Sequence, residues 1–585
     1  MKNFFKNVLS TVVGIILSVF IVIIIFFGII SLSISSINNE NNKKIKENSI
    51  LTLNLSETII AERTKNNPLQ DLNISGDIKK TIELYDVLNN IEKAKEDENI
   101  KAIYINSNTI NAGLSQIEEI RNKLLEFKKT GKKIIAYADY YSQSAYYLSS
   151  IANKIYLNPE GAIELKGLAI SQMFFKDMLE KLDIEIQIIR HGKFKSAIEP
   201  FTLNEMSFEN KQQMEQILNS YIENIFDSIA NQRGMNLSEI ESHANQLQLN
   251  SAKKCVDLAY VDKLLYQDEV EYQLSLLLDS NKINFVDITK YTNVKTTNKK
   301  ISRNKIAIIY ATGSINTGKG DEENIGSKTT SKAIKDARED KNVKAIVFRI
   351  NSGGGSALAS EVIWRETMLA KKTKPFIVSM GDYAASGGYY IACAADTIIA
   401  NPTTLTGSIG VFGMVPNLEN FYRNKLGISI DVAKTNTYAD IGINRSLSQY
   451  EKNQIQNSIK NIYNTFIERV ANGRKMNREA VDEISQGRVW SGYDAKKIGL
   501  VDIYGGLDKA IKIAAYKAKI KDYRITSLPK KKDPINELIM EIGKNNNSNF
   551  SFSNSLNNNL INNYIKDLEK LEKIQARIPY FINLK

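Results

Sequence analysis

The chain has 585 residues, 43% hydrophobic and 24% charged, which suits roughly three or four domain-sized units folding in water and excludes wholesale disorder or a multi-spanning membrane protein. Against 65 acidic residues stand 77 basic ones, a net +12 spread along the chain, which points to a solvated lysine-rich surface or attraction to anionic lipid and away from a nucleic-acid partner. With only Cys255, Cys393, His191 and His243, the chain lacks a disulfide framework, a cysteine-rich metal site and an HExxH pair, and hydrolytic chemistry would need a base other than histidine.

The first predicted element is a helix over residues 9–30, an uncharged apolar run of 22 residues that would span about 33 Å. Lys2 and Lys6 precede it, so it reads as an N-in anchor with the bulk outside the cytoplasm, although Lys43, Lys44 and Lys46 weaken the charge bias. A cleaved signal peptide is the competing reading, and the run is longer than the usual h-region.

Beyond it the chain repeats itself. NIKAIYI at residues 99–105 returns as NVKAIVF at 342–348, and residues 139–159 return as 382–402, both at an offset of 243. At an offset near 241, residues 214–236 return as 455–477. Short β-branched runs such as Ala345–Ile350, Phe376–Met380 and Thr397–Ala400 alternate with helical patterns, so each copy is expected to be α/β with a buried parallel sheet. The expected organisation is an anchor (1–48), a first repeat (49–291), a polar linker (292–304), a second repeat (305–528) and an Asn-rich tail (529–585) with a short charged helix. No chemistry is assigned to the tail.

The copies differ where chemistry would sit. NSGGGS (351–356) follows a strand in the second copy, and its counterpart in the first, NSNTINAGLS (106–115), lacks adjacent glycines. Ser386 faces Gln143 across the repeat, and Lys195 faces Ala439, so each copy lacks what the other supplies. Ser386 precedes a predicted helix, where the dipole and the next amide suit a nucleophile, though many serines there are plain N-caps. The glycine triplet reads as a tight turn or as half of an oxyanion hole, with Gly355 and Gly387 as candidate donors. Lys195 lies among Ile198, Pro200 and Phe201, an apolar setting that could lower its pKa and make it a base. Lys193 reads as a surface lysine, His191 as a polar residue leaving a strand, and His243 as an exposed helix residue.

These motifs together resemble the long, duplicated signal peptide peptidase A family, also called protease IV, over roughly residues 50–525. GKFKSAIEPF (192–201) looks like its lysine motif, DYAASGGYYIA (382–392) like its serine motif, LTGSIG (405–410) like the following loop, and GRVWSGYDAKKIGLVD (487–502) like its C-terminal signature. The resemblance implies tandem domains similar to the crotonase and caseinolytic-protease superfamily. It also implies Ser386 as nucleophile, Lys195 as general base, Ser408 hydrogen-bonded to the lysine, and no metal or cofactor. It further implies a homotetramer on the outer face of the bacterial cytoplasmic membrane, held in lipid through residues 9–30, that degrades cleaved signal peptides and other extended apolar peptides. Two departures stand out: Gly353 replaces the family's usual proline, and the Asn-rich tail has no clear counterpart. The rival readings are a crotonase-like acyl-CoA enzyme and a noncatalytic membrane scaffold.

Overall fold

The computed structural model describes residues 45–64, 80–280, 282–294, 302–531 and 574–577, with part of 4–24. Two parallel sheets of like strand order form its frame. The first runs Lys263–Leu264, Lys154–Leu157, Lys133–Ala138, Ile100–Asn106, Ser49–Leu53 and Asn284–Asp287. In the second, Ile503–Tyr504, Thr397–Ala400, Phe376–Ala385, Val343–Ser352, Lys305–Thr312 and Arg524–Leu528 follow one another in the same sense. The strands that begin at residues 154, 133 and 100 correspond to those that begin at 397, 376 and 343, at the offset of 243.

The sequence produces these strands because their apolar runs are buried on both faces: Ile346, Val347 and Phe348 are consecutive and all fully enclosed. Two helices of 26 residues, Phe208–Arg233 and Gln449–Arg474, recur 241 positions apart. Each is capped by a serine, Ser207 and Ser448, whose hydroxyl accepts an amide of the first turn. One hydrophobic core draws on both copies, packing Ile103 and Ile134 of the first with Ile306, Val347 and Leu507 of the second. The copies therefore share apolar contact as well as chain.

A third sheet joins material from three distant parts of the sequence. Its order is Asn324–Gly326, Ser314–Asn316, Gly354–Ser356, Ile574–Arg577, Val411–Asn417 and Glu185–His191. We call Gly354–Ser356 the glycine strand, Ile574–Arg577 the tail strand, Val411–Asn417 the bridging strand and Glu185–His191 the base strand. The base strand belongs to the first copy yet pairs antiparallel with the bridging strand of the second, Val411 opposite His191 through to Asn417 opposite Glu185.

Two expectations need adjustment. Among the described residues no helix is long and apolar enough to cross a membrane. Of the run 9–30, residues 10–18, 20–22 and 24 are helical, and the others lie outside the described residues. In the tail, the described piece is a strand rather than a helix, because it finds two open strand edges to pair with; the rest of the expected charged helix lies outside the described residues.

Candidate active site

Ser386 stands where the strand Phe376–Ala385 gives way to the helix Gly387–Ala392. Its backbone is forced to φ 55° and ψ −116°, a conformation that costs a non-glycine residue energy and persists only when the surroundings impose it. The surroundings do so: its amide donates to the Gly407 carbonyl at 2.7 Å, and its own carbonyl accepts from the Tyr390 amide at 2.8 Å. The side chain makes no capping bond. At the matching helix of the first copy, Gln143–Ser149, the hydroxyl of Ser142 does cap, accepting from the Ala145 amide at 3.3 Å. The plain N-cap reading of Ser386 therefore fails, and its hydroxyl is left for other work.

That hydroxyl meets Lys195. The lysine follows the base strand, and antiparallel pairing with the bridging strand carries it across from the first copy. Its Nζ lies 2.9 Å from Ser386 Oγ, and it also reaches Ser408 Oγ at 2.9 Å and the Ser408 carbonyl at 3.2 Å. Lys195 is 1% exposed. No carboxylate pairs with it among the described residues, and burial alone lowers its pKa to about 7. At neutral pH a substantial fraction of such an amine is unprotonated and able to accept a proton.

The backbone beneath the lysine explains why it can be so deeply set. Phe194 donates its amide to the Gln486 carbonyl at 3.0 Å. Gly487, at φ +84°, lies directly under Lys195; a methyl group there would stand 2.7 Å from the lysine Cβ. Glu199, also buried, accepts from the Ser207 hydroxyl at 2.6 Å and from the Asn210 side-chain amide at 2.9 Å, tying the lysine turn to the long helix that follows.

The glycine strand runs against the start of the serine helix, so that a methyl group at Gly387 would stand 3.2 Å from Gly354 Cα. Gly355 is paired on its outer side with Ile315. Gly354 thus approaches Gly387 beside Ser386, and Gly355 is the next residue of the strand. Gly353 lies just before the glycine strand.

The remaining candidates fall elsewhere. His191 ends the base strand with its ring 4.3 Å from that of Tyr463, and burial lowers its pKa. His243 is half-buried and hydrogen-bonded to Tyr260 at 3.1 Å, which corrects its reading as an exposed residue. Lys193 is exposed, and Cys255 and Cys393 are buried free thiols.

Sequence reasoning passed over Gly487, Glu199 and Arg349. Arg349 carried a signal, a charge inside the apolar strand KAIVFRIN. It is fully buried, and its N–H groups reach Glu62 Oε2 at 2.8 Å, Glu62 Oε1 at 2.7 Å, Glu119 Oε1 at 2.8 Å, Ser379 Oγ at 2.9 Å and the Met380 carbonyl at 3.0 Å. Glu62 and Glu119 come from the first copy, so this cluster pins the two copies together behind the site. Asp382, in the serine motif, is pushed up to about 7 by burial while accepting the Ser115 amide of the first copy at 2.9 Å.

The chain is similar to known proteins over most of its length. The family model "Peptidase family S49" matches residues 126–280 and again residues 368–521. "Protease 4" of Salmonella typhi is 35% identical over 543 residues, covering 89% of this chain and 87% of the relative. "Protease 4" of Haemophilus influenzae is 35% identical, covering 83% of each. "Serine protease SPPA, chloroplastic" of Arabidopsis thaliana is 36% identical over 74% of this chain and 65% of the relative. A solved structure, a point mutant of ClpP1 from Listeria monocytogenes, is similar to 35% of this chain and 94% of its own at 15% identity and a TM-score of 0.24, too slight a likeness to argue from.

Proposed function

On the premise that the chain belongs to peptidase family S49 and is a serine protease, we propose that it works by a Ser-Lys dyad, with Ser386 as nucleophile and Lys195 as general base. The observation that carries this is the 2.9 Å approach of a buried lysine amine, with no carboxylate beside it among the described residues, to the serine hydroxyl. A neutral amine has two N–H groups and one lone pair. The two N–H groups go to the hydroxyl and carbonyl of Ser408, and the lone pair is left for the Ser386 proton. The resulting alkoxide attacks a peptide carbonyl whose oxygen is held by the amides of Gly355 and Gly387. The leaving amine takes the proton back from Lys195, and water then resolves the acyl-enzyme by the same route.

The substrates are extended peptides laid along the edge of the glycine strand that the tail strand takes here, where pairing recognises main chain and is indifferent to most side chains. Cleaved signal peptides fit this slot. The apolar run 9–30 anchors the chain in the bacterial cytoplasmic membrane with the catalytic part on its outer face; Val13, Ile16 and Phe20 are exposed among the described residues.

Assembly into a homotetramer is supported by the repeat. The base strand matches residues 429–435 of the second copy, and the bridging strand matches residues 168–174 of the first, yet neither counterpart is a strand here. Exposed Ile428, Ile430 and Val432 lie along that unpaired stretch. Pairing 429–435 of one protomer with 168–174 of the next would repeat the internal contact head to tail, a heterologous interface that can close into a ring.

The test is covalent labelling by a fluorophosphonate probe together with peptide turnover. Ser386 should label, and Ser386→Ala and Lys195→Ala should each abolish turnover. Activity kept by either purified variant removes that residue from the dyad.

A further inference from the structure

Around Lys195 three stretches of chain cross, and one of them holds the other two. The Gln486 carbonyl accepts the Phe194 amide at 3.0 Å, the Gly487 amide donates to the Ile409 carbonyl at 2.8 Å, and the Arg488 carbonyl accepts the Ser408 amide at 2.7 Å. Residues 486–488 thus bind the turn that carries the lysine on one side and, on the other, the loop whose Ser408 hydroxyl and carbonyl meet Nζ. The crossing leaves no room for side chains. A methyl group on Gly192, at φ +105°, would stand 2.4 Å from the Gln486 carbonyl oxygen, one on Gly410 2.7 Å from Gly487 Cα, and one on Gly487 2.7 Å from both the amide nitrogen and Cβ of Lys195. A left-handed backbone alone does not demand glycine at this turn. Leu247 takes φ 49° four residues before the cap Ser251 in the first copy, as Gly487 takes φ 84° four residues before the cap Ser491 in the second. Leu247 is exposed and Gly487 lies under the lysine, so clearance is what asks for glycine.

The neighbouring Gln486 is held at φ +53°, a conformation that persists in a non-glycine residue only when its surroundings impose it. Tyr463, 2% exposed on the helix Gln449–Arg474, imposes it. Its hydroxyl accepts the Gln486 amide at 3.3 Å and donates to Asp482, which also accepts the Gln486 side-chain amide at 3.3 Å. At the offset of 241 the matching residue of the first copy's long helix is Ile222, which carries no hydroxyl. The brace therefore exists only in the copy that faces the lysine.

We propose that Tyr463 and Gly487 are positioning residues for the reaction: brace and clearance together clamp Lys195 and Ser408 about one point, so that the amine stays out of water and against Ser386. This rests on the Ser-Lys reading above. Neither residue touches the reacting atoms; both act through the backbone of residues 486–488. A loosened clamp lets the amine drift towards water, where it keeps its proton at neutral pH and loses its approach to the serine. No other charge does this work. His191 and Lys193 precede the lysine, with Lys460 near His191; Glu199 follows it, bound to Ser207 and Asn210. Asp482 is bound to Tyr463 and Gln486, and Arg488 lies over the Phe194 and Trp490 rings at 5.0 and 4.3 Å. The helix Phe208–Arg233 presents Gln213 and Gln216, and the bridging strand has no titratable residue. Among the described residues none of these groups bonds to Nζ.

The experiment measures turnover of a fluorogenic peptide and the rate of fluorophosphonate labelling, from about pH 5 to about pH 10, on the purified full-length chain in detergent. Gly487→Ala should lower kcat about 10²-fold with KM within about twofold of wild type, and Tyr463→Phe should lower kcat about tenfold. In both variants the acid limb of both profiles should move up by about one pH unit. Gly234→Ala, at another left-handed glycine with open space around it, should keep the wild-type rate and limb. Lower kcat with an unmoved limb would make the segment merely structural and overturn the proposal, as would wild-type behaviour in both variants. Should Gly487→Ala fail to fold, the limb of Tyr463→Phe decides alone. A Lys195→Ala protein that still turns over peptide sinks the dyad and this proposal with it, whereas an inactive Lys195→Ala beside unmoved limbs sinks the clamp and leaves the dyad standing.

Discussion

At Lys195 function and stability pull in opposite directions. In the unfolded chain a lysine titrates near 10.5, whereas burial lowers it to about 7 in the fold. Between those values the unfolded state binds a proton that the folded state does not, so this residue's contribution to stability rises with pH across the window and is most unfavourable below about 7. Lys195→Met should therefore abolish turnover and melt at a higher temperature than the wild type at pH 6, with the gap narrowing as pH is raised towards 10. Wild-type turnover should climb as pH passes about 7. A melting difference that does not change with pH would show that the amine is charged in the fold. The two residues proposed as the dyad were legible in the sequence because each copy lacks one of them. The depth of Lys195 was not, since it depends on Gly487 and on the Gln486 carbonyl, about 290 residues away.

Among the elements, the glycine strand and the base strand do the positioning. The triplet 353–355 reads in sequence as a turn or an oxyanion loop, and its last two glycines begin the short strand Gly354–Ser356 because one edge pairs with Ile315 and the other with the tail strand. Gly354→Ala should press a methyl group into the space where the Ala576 carbonyl oxygen now lies and displace a peptide paired along that edge. A loss of about 10²–10³ in kcat is expected, with an unchanged circular dichroism spectrum. Turnover within a few-fold of wild type would mean that the peptide lies elsewhere. The base strand's own run, EIQIIRH, shows a strand but not its partner, because main-chain pairing leaves little trace in side-chain identity.

Across the whole molecule, the two copies are held in register by Arg349 and the carboxylates of Glu62 and Glu119. Arg349→Ala would leave two buried carboxylates without their cation, a change that costs about 3–5 kcal/mol. The expected readout is a lower urea midpoint; an unchanged midpoint would show that the copies are held by their shared apolar core alone. The sequence by itself determined the duplication, the α/β class and the half-site in each copy, because these follow from local composition and from comparing one stretch with another. Only the tertiary structure decided that a strand of the first copy crosses to the second and brings an amine to an alcohol 191 positions away, and that the tail enters the slot. Both contacts are made through backbone hydrogen bonds, which every residue but proline can form and which therefore leave no residue pattern to read.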